Sequence, residues 1–351
     1  MSLKQNTLKG LSLPELSSLF LEMGEPRYRA RQVFNWMYNH RVTDFSEMQN
    51  TPKSFREKMK EQYGLLALSL DKKIESIDGA TVKFLFRTNQ DHVIESVIIP
   101  ESDRVTLCVS TQVGCPLDCK FCATGLMGYK ANLTAGEIFD QYLLGGREYP
   151  KPITNIVYMG MGEPLLNYEA TVKSLSIFSE ELTKEVSLRK ITVSTSGIPA
   201  KIYELADTGL RVKLAFSLHS CYEEIRSRIM PINKKYPLAK NLEAVTYFLE
   251  QTGGRVTFEY VMLSGINDRR EDEEALVALC RKIPAKINII PFNSLAHINP
   301  TGIAAELKPS SPERIATFAG KLRKAGITVM VRNTKGQDIA AACGQLAVTQ
   351  I

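Results

Sequence analysis

Apolar and polar positions at the start of the chain recur with the period of an α-helix. Over Leu13–Met23 and over Arg27–His40, residues three or four positions apart are alike in being apolar or polar, which predicts two helices. The second helix has an apolar stripe and a separate polar face, formed respectively by Ala30, Val33, Phe34 and Met37 and by Arg27, Arg31 and Asn35. A third helix is predicted with Thr51 as N-cap, Pro52 at its first position and Gly64 at its end. The chain thus opens with a small helical unit.

The alternating pattern typical of strands follows. Lys72–Pro100 alternates in hydrophobicity on both sides of Asp78-Gly79, a turn dipeptide that predicts a β-hairpin. Six further extended segments then alternate with helical ones. These segments are Val105–Thr111, Ile153–Gly160, Lys190–Ser196, Val212–His219, Arg255–Ser264 and Lys286–Asn293, and helices between them include Thr134–Glu148, Tyr168–Glu180 and Leu238–Gln251. Pro312–Ala325 and Ile327–Val331 predict a final helix and strand.

Strand–helix repeats of this kind predict a parallel sheet, because parallel neighbours need long crossover connections. Curling such a sheet gives an α/β barrel, in which ligands are expected at the carboxyl ends of the strands. We therefore predict an α/β fold, a partial (β/α)6 barrel with a small helical accessory domain and a short β linker region. The expected divisions are residues 1–70 for the helical domain, 71–101 for the linker, 102–335 for the barrel and 336–351 for a C-terminal segment.

Composition and charge narrow the class of protein. The 351 residues are 44% hydrophobic and 23% charged, which excludes a disordered or collagen-like chain. No apolar run is long enough to span a membrane, and Met1–Gly10 has no signal-peptide character, so we expect a cytoplasmic protein. The net charge of +6 permits a polyanionic partner. Ten basic and seven acidic side chains in residues 1–64 suit RNA contact, and equally an ordinary solvated surface.

The candidate chemistry concentrates in the cysteines. Seven cysteines are too few for a disulfide scaffold of this length, yet Cys115, Cys119 and Cys122 crowd into one loop after a predicted strand. Three thiols on one loop can hold three irons of a cubane cluster and leave the fourth iron open. Zinc is an alternative, although a closed zinc site needs a fourth ligand that is not supplied nearby. Buried packing thiols are a third interpretation.

This Cys-x3-Cys-x2-Cys spacing after the first strand of an α/β barrel resembles the radical S-adenosylmethionine superfamily. Five further motifs, in the right order along the chain, resemble its dual-specificity ribosomal and transfer RNA adenine-C2 methyltransferases. They are Cys108-Val-Ser-Thr-Gln-Val-Gly-Cys115, Met159-Gly-Met-Gly-Glu-Pro164, Ser194-Thr-Ser-Gly197, Ser217-Leu-His219 and Asp338-Ile-Ala-Ala-Ala-Cys-Gly-Gln345. The resemblance runs from the helical N-terminus through the tail.

The resemblance implies a [4Fe-4S] cluster on the three loop cysteines, with S-adenosylmethionine bound to its open iron and two such molecules used per turnover. The implied contacts to S-adenosylmethionine are Gly162, Glu163, Ser194, Ser217, Leu218, His219 and Asn293. Several of these residues end predicted strands, where a barrel binds its ligands, and glycine there lets the backbone approach a ligand closely. Each residue alone could instead be a turn residue, a strand cap or a structural histidine.

Two further thiols carry the implied reaction. Alternation places Cys108 on the polar face of its strand, whereas Cys343 lies in an Ala-rich segment where packing would otherwise be favoured. In the implied mechanism Cys343 accepts a methyl group, and a 5'-deoxyadenosyl radical abstracts hydrogen from it. The resulting carbon radical adds to C2 of adenine. Cys108 then attacks the carrier sulfur, and a transient disulfide releases the methylated RNA.

Glu95 occupies the position of the family's general base, which would help to remove the C2 proton. Its alternative is a solvent-facing place on a strand. Cys221 and Cys280 match no family role, and helical settings favour packing for both. The implied partners are 23S ribosomal RNA, protein-free or in early assembly, some transfer RNAs, and a flavodoxin-like or other low-potential electron donor. We expect a monomer without membrane contact.

Two alternatives to this function stay open. The first is a C8-methylating antibiotic-resistance relative, which shares the three loop cysteines and the two further thiols. Val113, Pro164 and Ser196 count against this relative, whereas the segment from Ser217 to Asn233 looks closer to it. A non-catalytic iron–sulfur or zinc RNA-binding module is the second. Such a module has no need of a carrier thiol.

Overall fold

The structure, a computed structural model, describes residues 6–183 and 186–348. Ten strands in this part of the chain form one sheet, and two more form a separate ribbon. The strands are β1 (Leu68–Glu75), β2 (Val82–Thr88), β3 (Val93–Pro100), β4 (Val105–Cys108), β5 (Gln112–Gly114), β6 (Tyr129–Asn132), β7 (Asn155–Tyr158), β8 (Ile191–Thr195), β9 (Lys213–Ser217), β10 (Val256–Met262), β11 (Ala285–Pro291) and β12 (Val329–Val331). The sheet order is β1-β2-β3-β4-β7-β8-β9-β10-β11-β12, and β5 pairs with β6.

The strands β4 and β7 to β12 run parallel, and helices connect most of them. The helices are α1 (Leu13–Glu22), α2 (Tyr28–Tyr38), α3 (Lys53–Gln62), α4 (Ala123–Leu126), α5 (Ala135–Arg147), α6 (Tyr168–Ser179), α7 (Pro199–Asp207), α8 (Glu223–Ile229), α9 (Leu238–Thr252), α10 (Arg270–Lys282), α11 (Ile303–Glu306) and α12 (Pro312–Lys324). The sheet ends at β1 and β12 without closing, so the predicted partial α/β barrel is confirmed. Within the described residues no helix is long and apolar enough to cross a membrane.

Side chains alternate along the parallel strands between a helix-facing side and the barrel interior. The helix-facing residues are apolar and fully buried, as Leu214 and Phe216 show on β9. Residues of the other parity face the interior, and Ser217 at the end of the same strand lines a cavity there. The core therefore lies mainly between the sheet and its helices, and this leaves the interior for polar groups.

The predicted linker strands are part of the barrel sheet. β1, β2 and β3 are antiparallel, and β3 pairs with β4 so that Val97 lies opposite Cys108. β1 begins at Leu68, inside the part of the chain expected to be helical. An antiparallel extension needs only short turns, here at Asp78-Gly79, so three strands fit into a short stretch of chain.

The helical unit at the start forms as its pattern predicts. Ala30, Val33, Phe34 and Met37 are all at most 1% exposed, whereas Arg27 and Arg31 are exposed. The third helix differs by one residue from the prediction: Pro52 is its N-cap, and the Thr51 hydroxyl donates to the carbonyl of Met48 at 2.7 Å. Trp36, the one tryptophan of the sequence, donates from Nε1 to Oδ1 of Asn50 at 2.6 Å, within this unit.

The helical unit packs directly on α5 of the barrel. A Cβ added to Gly136 would lie 2.5 Å from the carbonyl oxygen of Lys9, and one added to Gly10 would lie 2.5 Å from the amide nitrogen of Gly136, so the two backbones touch at a pair of glycines. Nζ of Lys9 lies 3.7 Å from Oδ1 of Asp140, and both side chains are fully buried. Oδ2 of Asp140 also accepts from the amide of Ala67 at 2.6 Å. This one carboxylate thus ties the helical unit, the start of β1 and α5 together.

Candidate active site

A cavity opens at the carboxyl ends of the parallel strands, where the barrel rule places a ligand. The cysteine loop, the ends of six strands, β7 to β12, and the C-terminal segment surround it. The lining includes most of the predicted site residues: Cys115, Cys119, Cys122, Gly162, Glu163, Ser194, Ser217, His219, Asn293 and Cys343. Leu218, Cys108 and Glu95 are the predicted residues that do not line it.

The cysteine loop is held by a ribbon that the sequence pattern did not predict. β5 and β6 pair on either side of the loop, and the amide of Cys115 donates to the carbonyl of Gly128 at 3.0 Å. Gly114 has φ +75°, and a Cβ there would lie 1.9 Å from the Gly128 oxygen, so only glycine fits. The amide of Lys120 donates to the carbonyl of Ile229 at 2.9 Å, which fixes the other side of the loop.

The three loop thiols line the cavity in surroundings that disfavour free thiolates. Burial raises the pKa of Cys115 to about 12, and it raises the pKa values of Cys119 and Cys122 as well. A bound metal ion beside a thiolate favours its charged form. Each of the three cysteines is therefore a candidate ligand for one iron of a cluster. Among residues 6–183 and 186–348 no group of three His, Cys, Asp or Glu side chains is arranged to hold a single metal ion.

The Gly-Met-Gly-Glu-Pro loop after β7 positions a buried carboxylate. Gly162 has φ +100°, and its missing side chain accommodates Gln112, which would lie 2.5 Å from an added Cβ. Glu163 is 2% exposed, and its two carboxylate oxygens accept from the amides of Leu165 and Ser196 at 3.0 and 2.7 Å. Burial raises the pKa of Glu163 despite these bonds. Each oxygen keeps acceptor capacity on the cavity side, which suits an ammonium ligand.

Arg226 orders the ends of β8 and β9, and the sequence did not reveal it. Its side chain is fully buried, and Nη2 donates to the carbonyls of Ser196 and Ser217 at 2.6 and 3.0 Å. Nε donates to the carbonyl of Leu218 at 3.1 Å. Leu218 therefore serves the site through its backbone, since its side chain is fully buried and faces away from the cavity lining.

His219 is a neutral residue of the cavity wall. Its backbone is left-handed at φ +56°, and Nδ1 accepts from the amide of Val261 at 3.0 Å. Burial and the nearby charge of Arg226 lower the pKa of His219 to about 3. The proton of the neutral ring therefore belongs on Nε2, which can donate a hydrogen bond but cannot act as a charged acid at neutral pH.

The C-terminal segment, residues 336–348, is bonded across the cavity mouth. Asn293 donates from Nδ2 to the carbonyl of Cys343 at 2.9 Å, and its Oδ1 accepts from Gln337 at 2.8 Å. The amide of Ala123, directly after the cysteine loop, donates to the carbonyl of Gly344 at 2.7 Å. Asn293 thus holds the segment in place and also lines the cavity, so the ligand contact implied by the resemblance stays a prediction.

Cys108 and Cys343 share one charged neighbour, the guanidinium group of Arg332. Cys343 is exposed to the cavity, whereas Cys108 is 8% exposed at the end of β4. Burial raises the pKa of Cys108 to about 12, a Cys343 thiolate raises it further, and Arg332 opposes the rise. The pKa of Cys343 is likewise raised by burial, and Arg332 lowers it by charge and by a hydrogen bond. Glu259, 5% exposed, is a further charged neighbour of Arg332.

Glu95 lies beneath the C-terminal segment and does not face solvent. It is fully buried, and Oε1 lies 3.1 Å from Nζ of Lys83, itself 1% exposed. Oε2 accepts from the amide of Ala347 at 3.0 Å. The carboxylate therefore contacts the segment that carries Cys343. The alternative of a solvent-facing strand position is wrong.

The two remaining cysteines lie away from the cavity. Cys280 is in α10, as expected, but Cys221 lies in the loop between β9 and α8, so its predicted helical setting is wrong. Burial raises the pKa of Cys221 to about 12 and that of Cys280 to about 11. Both are partly buried and pack against the core.

Sequence signals existed for two of the missed residues. Glu259 is a carboxylate inside the apolar strand β10, and Arg332 directly follows β12, as the predicted serines follow their strands. Arg226 gave no comparable signal, because a helical arginine is normally solvated and its three carbonyl partners come from two other elements.

Comparisons with known proteins identify the family of this chain. Residues 6–64 match the family model described as ribosomal RNA large subunit methyltransferase N-terminal domain, and residues 109–277 match the radical SAM superfamily. A probable dual-specificity RNA methyltransferase RlmN from Thermotoga sp. (strain RQ2) is 46% identical over 345 residues, 98% of both chains. The dual-specificity RNA methyltransferase RlmN of Anaeromyxobacter dehalogenans is 44% identical, over 97% of this chain and 91% of its own.

A solved structure shows the same fold over nearly the whole chain. The crystal structure of a radical SAM methyltransferase from Sphaerobacter thermophilus superposes with a TM-score of 0.91 at 42% identity, over 97% of this chain and 99% of that one. Coverage and identity of this extent include the helical unit, the barrel and the C-terminal segment. The chain therefore belongs to the RlmN family of dual-specificity RNA methyltransferases, within the radical S-adenosylmethionine superfamily.

Proposed function

We propose that this enzyme methylates C2 of adenosine 2503 in 23S ribosomal RNA and of adenosine 37 in some transfer RNAs, through an S-methylcysteine on Cys343. The observation that carries the proposal is the pair of thiols around Arg332 beside a cavity lined by three further thiols. An aromatic ring carbon is too weak a nucleophile to take a methyl group from a sulfonium directly. A protein carrier with a second thiol to release the product meets that need.

Cys115, Cys119 and Cys122 would hold the [4Fe-4S] cluster, one per chain, and leave one iron for S-adenosylmethionine. When bound, these groups supply the 5'-deoxyadenosyl radical that activates the methyl carrier. Glu163 and His219 face the same cavity and would bind the methionine ammonium and polar groups of the ligand. Gly162, Ser194, Ser217, Leu218 and Asn293 shape this site or hold its walls.

Cys343 acts first, as the thiolate that accepts a methyl group; its S–C bond forms while the sulfonium S–C bond of S-adenosylmethionine breaks. Arg332 stabilises this thiolate. Once the carrier carbon has bonded to C2, the adduct would give up one electron, which the oxidised cluster could take back, and the C2 proton. The Cys108 thiolate then attacks the sulfur of Cys343. The S–S bond forms as the S–C bond breaks, and the electron pair left on the methylene carbon takes up a proton to complete the methyl group of the RNA product. External reductant then restores both thiols.

Glu95 would accept the C2 proton during this release. Its contact with the amide of Ala347 places it next to the segment that carries Cys343, although Lys83 currently shares the carboxylate. Rearrangement of the segment when RNA binds would free an oxygen of Glu95 for that role.

The same proposal includes the surroundings of the reaction. We expect residues 1–70 to serve as an RNA-binding accessory domain, 71–101 as linker, 102–335 as catalytic core and 336–351 as catalytic segment. The substrate would be protein-free or early-assembly ribosomal RNA, since C2 is accessible only in an unstacked base. A low-potential donor such as a flavodoxin would reduce the cluster, and the enzyme would act as a cytoplasmic monomer.

Anaerobic reconstitution with iron and sulfide, followed by reductant and S-adenosylmethionine, tests the radical step. Formation of 5'-deoxyadenosine supports it, and its absence from a preparation with a full cluster contradicts it. Nucleoside mass spectrometry of ribosomal RNA from cells with and without the protein tests the product. Loss of 2-methyladenosine supports C2 methylation, whereas loss of 8-methyladenosine assigns the C8 chemistry instead.

Cys108→Ala separates attachment from release. Because Cys343 can still accept the methyl group, the variant should accumulate a covalent protein–RNA adduct that survives denaturing electrophoresis. Cys343→Ala is the matched control and should form no adduct. Multiple turnovers by the Cys108 variant would show that another group releases the RNA.

A further inference from the structure

Basic side chains surround the amino-terminal mouth of the barrel, at the end opposite the cavity. We call them the basal ring: Arg104, Lys190, Lys213, Arg255 and Lys286. Each lies at or next to the first residue of a different parallel strand, β4, β8, β9, β10 or β11. Five of the six strands predicted from the sequence therefore begin with a cation. The sixth, β7, begins with Asn155.

Strand alternation points these side chains inward. Lys213 is four residues before Ser217 on β9, and Ser217 lines the interior cavity, so both side chains face the same side of the sheet. The same spacing relates Arg255 to Glu259 and Arg104 to Cys108, whereas Lys190 ends a short 3-10 turn, Leu188–Lys190, directly before β8. Asn288, two residues after Lys286, donates to Glu259 at 2.7 Å and so faces the interior as well. The ring therefore converges on one opening.

Four members of the ring, Lys190, Lys213, Arg255 and Lys286, lie at the starts of four consecutive strands of the sheet, β8 to β11. The pKa of Lys213 is lowered by partial burial and then by the charges of Lys286, Arg104, Arg255 and Lys190. Leu214 pairs with Val256, so the preceding residues, Lys213 and Arg255, start adjacent strands about 4.8 Å apart. Every nearby charge that acts on Lys213 has the same sign.

Little in the protein compensates this charge. Arg104 pairs with Glu101 at 2.5 Å. Across residues 6–183 and 186–348, no carboxylate comes within 4.0 Å of the charged nitrogens of the other four. Behind the ring the interior is lined by polar, partly exposed residues, Thr106, Asn155, Thr192 and Thr257. Repulsion between like charges that converge beside an accessible polar interior raises the free energy of the protein. A bound anion would offset this cost.

We propose that the basal ring binds phosphate groups. Phosphate concentrates negative charge on several acceptor oxygens, and lysine and arginine are its usual protein ligands. The phosphates could come from a segment of the RNA distant from the target adenosine, or from a free anion such as pyrophosphate. The ring lies at the far end of the barrel, so the strand that delivers the adenine does not reach it. The proposal is independent of which adenine carbon is methylated.

The first arm of the test measures the binding of a small anion to the reconstituted holoenzyme, through the change in Tm. Sodium pyrophosphate at ten times its dissociation constant should raise the Tm by about 2 °C over sodium chloride of equal ionic strength. Lys213→Gln combined with Arg255→Gln should abolish this shift. Arg281→Gln with Lys308→Gln is the matched control, because it removes two exposed cations outside the ring and should preserve the shift.

The second arm measures RNA affinity against sodium chloride concentration. If RNA phosphates occupy the ring, the ring variant should reduce the slope of log K against log salt by about 1–2, and the control should reduce it less. A lost pyrophosphate shift with an unchanged slope identifies a free anion, and a reduced slope identifies RNA; both support the proposal. It is overturned if the ring variant matches wild type in both arms, or if the control loses as much as the ring variant.

Discussion

At the scale of single residues, Arg332 controls the chemistry of Cys343. Burial raises the pKa of this thiol, and the guanidinium opposes the rise. A thiol with a raised pKa is mostly protonated at neutral pH, and only its thiolate accepts a methyl group. The rate of methylation should therefore rise with pH until the pKa of Cys343 is passed.

Arg332→Met should raise the pKa of Cys343 and move this pH profile to higher pH. Each unit of pKa lowers the thiolate fraction about tenfold at neutral pH, so we expect a loss of at least that size, shrinking as pH rises. Mass spectrometry of S-methylated Cys343 against pH measures the effect. Arg332→Lys keeps the charge and should recover part of the rate; an unshifted profile in the Met variant would show that Arg332 does not act on the thiol.

The buried pair of Glu95 and Lys83 gives a second residue-scale prediction. Glu95→Gln leaves the Lys83 ammonium buried without a counter-charge, which should lower the free energy of unfolding by about 3–5 kcal/mol. Adding Lys83→Met should restore most of the stability, because no charge then remains. Activity should stay low in both variants if Glu95 takes the C2 proton. Recovery of turnover together with stability would reduce Glu95 to a structural role.

At the scale of elements, α8 supports the strand ends through one side chain. Arg226→Met removes the donors to three carbonyls at the ends of β8 and β9 and should cost about 1–3 kcal/mol of stability. Ser196, whose amide binds Glu163, would lose its anchor. We expect S-adenosylmethionine to bind about tenfold more weakly, measured by calorimetry. Arg228→Met on the same helix is exposed and should change neither quantity; equal losses in both would contradict this role.

The contact between α5 and the helical unit gives a matched pair of glycine variants. Gly136→Ala would push a methyl group to 2.5 Å from the carbonyl of Lys9, so it should destabilise the protein by about 1–3 kcal/mol. Gly145 is in the same helix, and an added Cβ would meet its neighbours at 3.7 Å or more. Gly145→Ala should therefore be neutral or stabilise by up to about 1 kcal/mol. Chemical denaturation distinguishes them; equal stabilities would mean that the unit is not tightly packed there.

At the scale of the whole molecule, the hydrophobic periodicity predicted the elements that repeat along the chain and missed the structures that occur once. The stripe of Ala30, Val33, Phe34 and Met37 and the strand–helix alternation repeat over many residues, so the helical unit and the barrel followed from the sequence. The β5–β6 ribbon has strands of three and four residues, too short for an alternation to register. Its form depends on Gly114 meeting Gly128, a contact between backbones.

The candidate site divides in the same way. The cysteines and Glu163 were found because they lie in motifs with characteristic spacing. The roles of Asn293, Glu95 and Arg226 depend on partners distant along the chain, such as Asn293 with Cys343 and Glu95 with Ala347. Local pattern carries no information about such pairs, so the hydrogen bond from Asn293 to the C-terminal segment could not be predicted from its place at the end of a strand.

The single tryptophan has a practical consequence. Trp36 belongs to the helical unit, where it is partly buried and bonded to Asn50, far along the chain from the cavity residues. Selective excitation of indole fluorescence therefore observes that unit alone, while iron–sulfur absorption observes the barrel. Comparison of the two signals during unfolding should show whether the two parts unfold together. The emission spectrum should also show whether RNA alters the helical unit, and both measurements use the unlabelled wild-type enzyme.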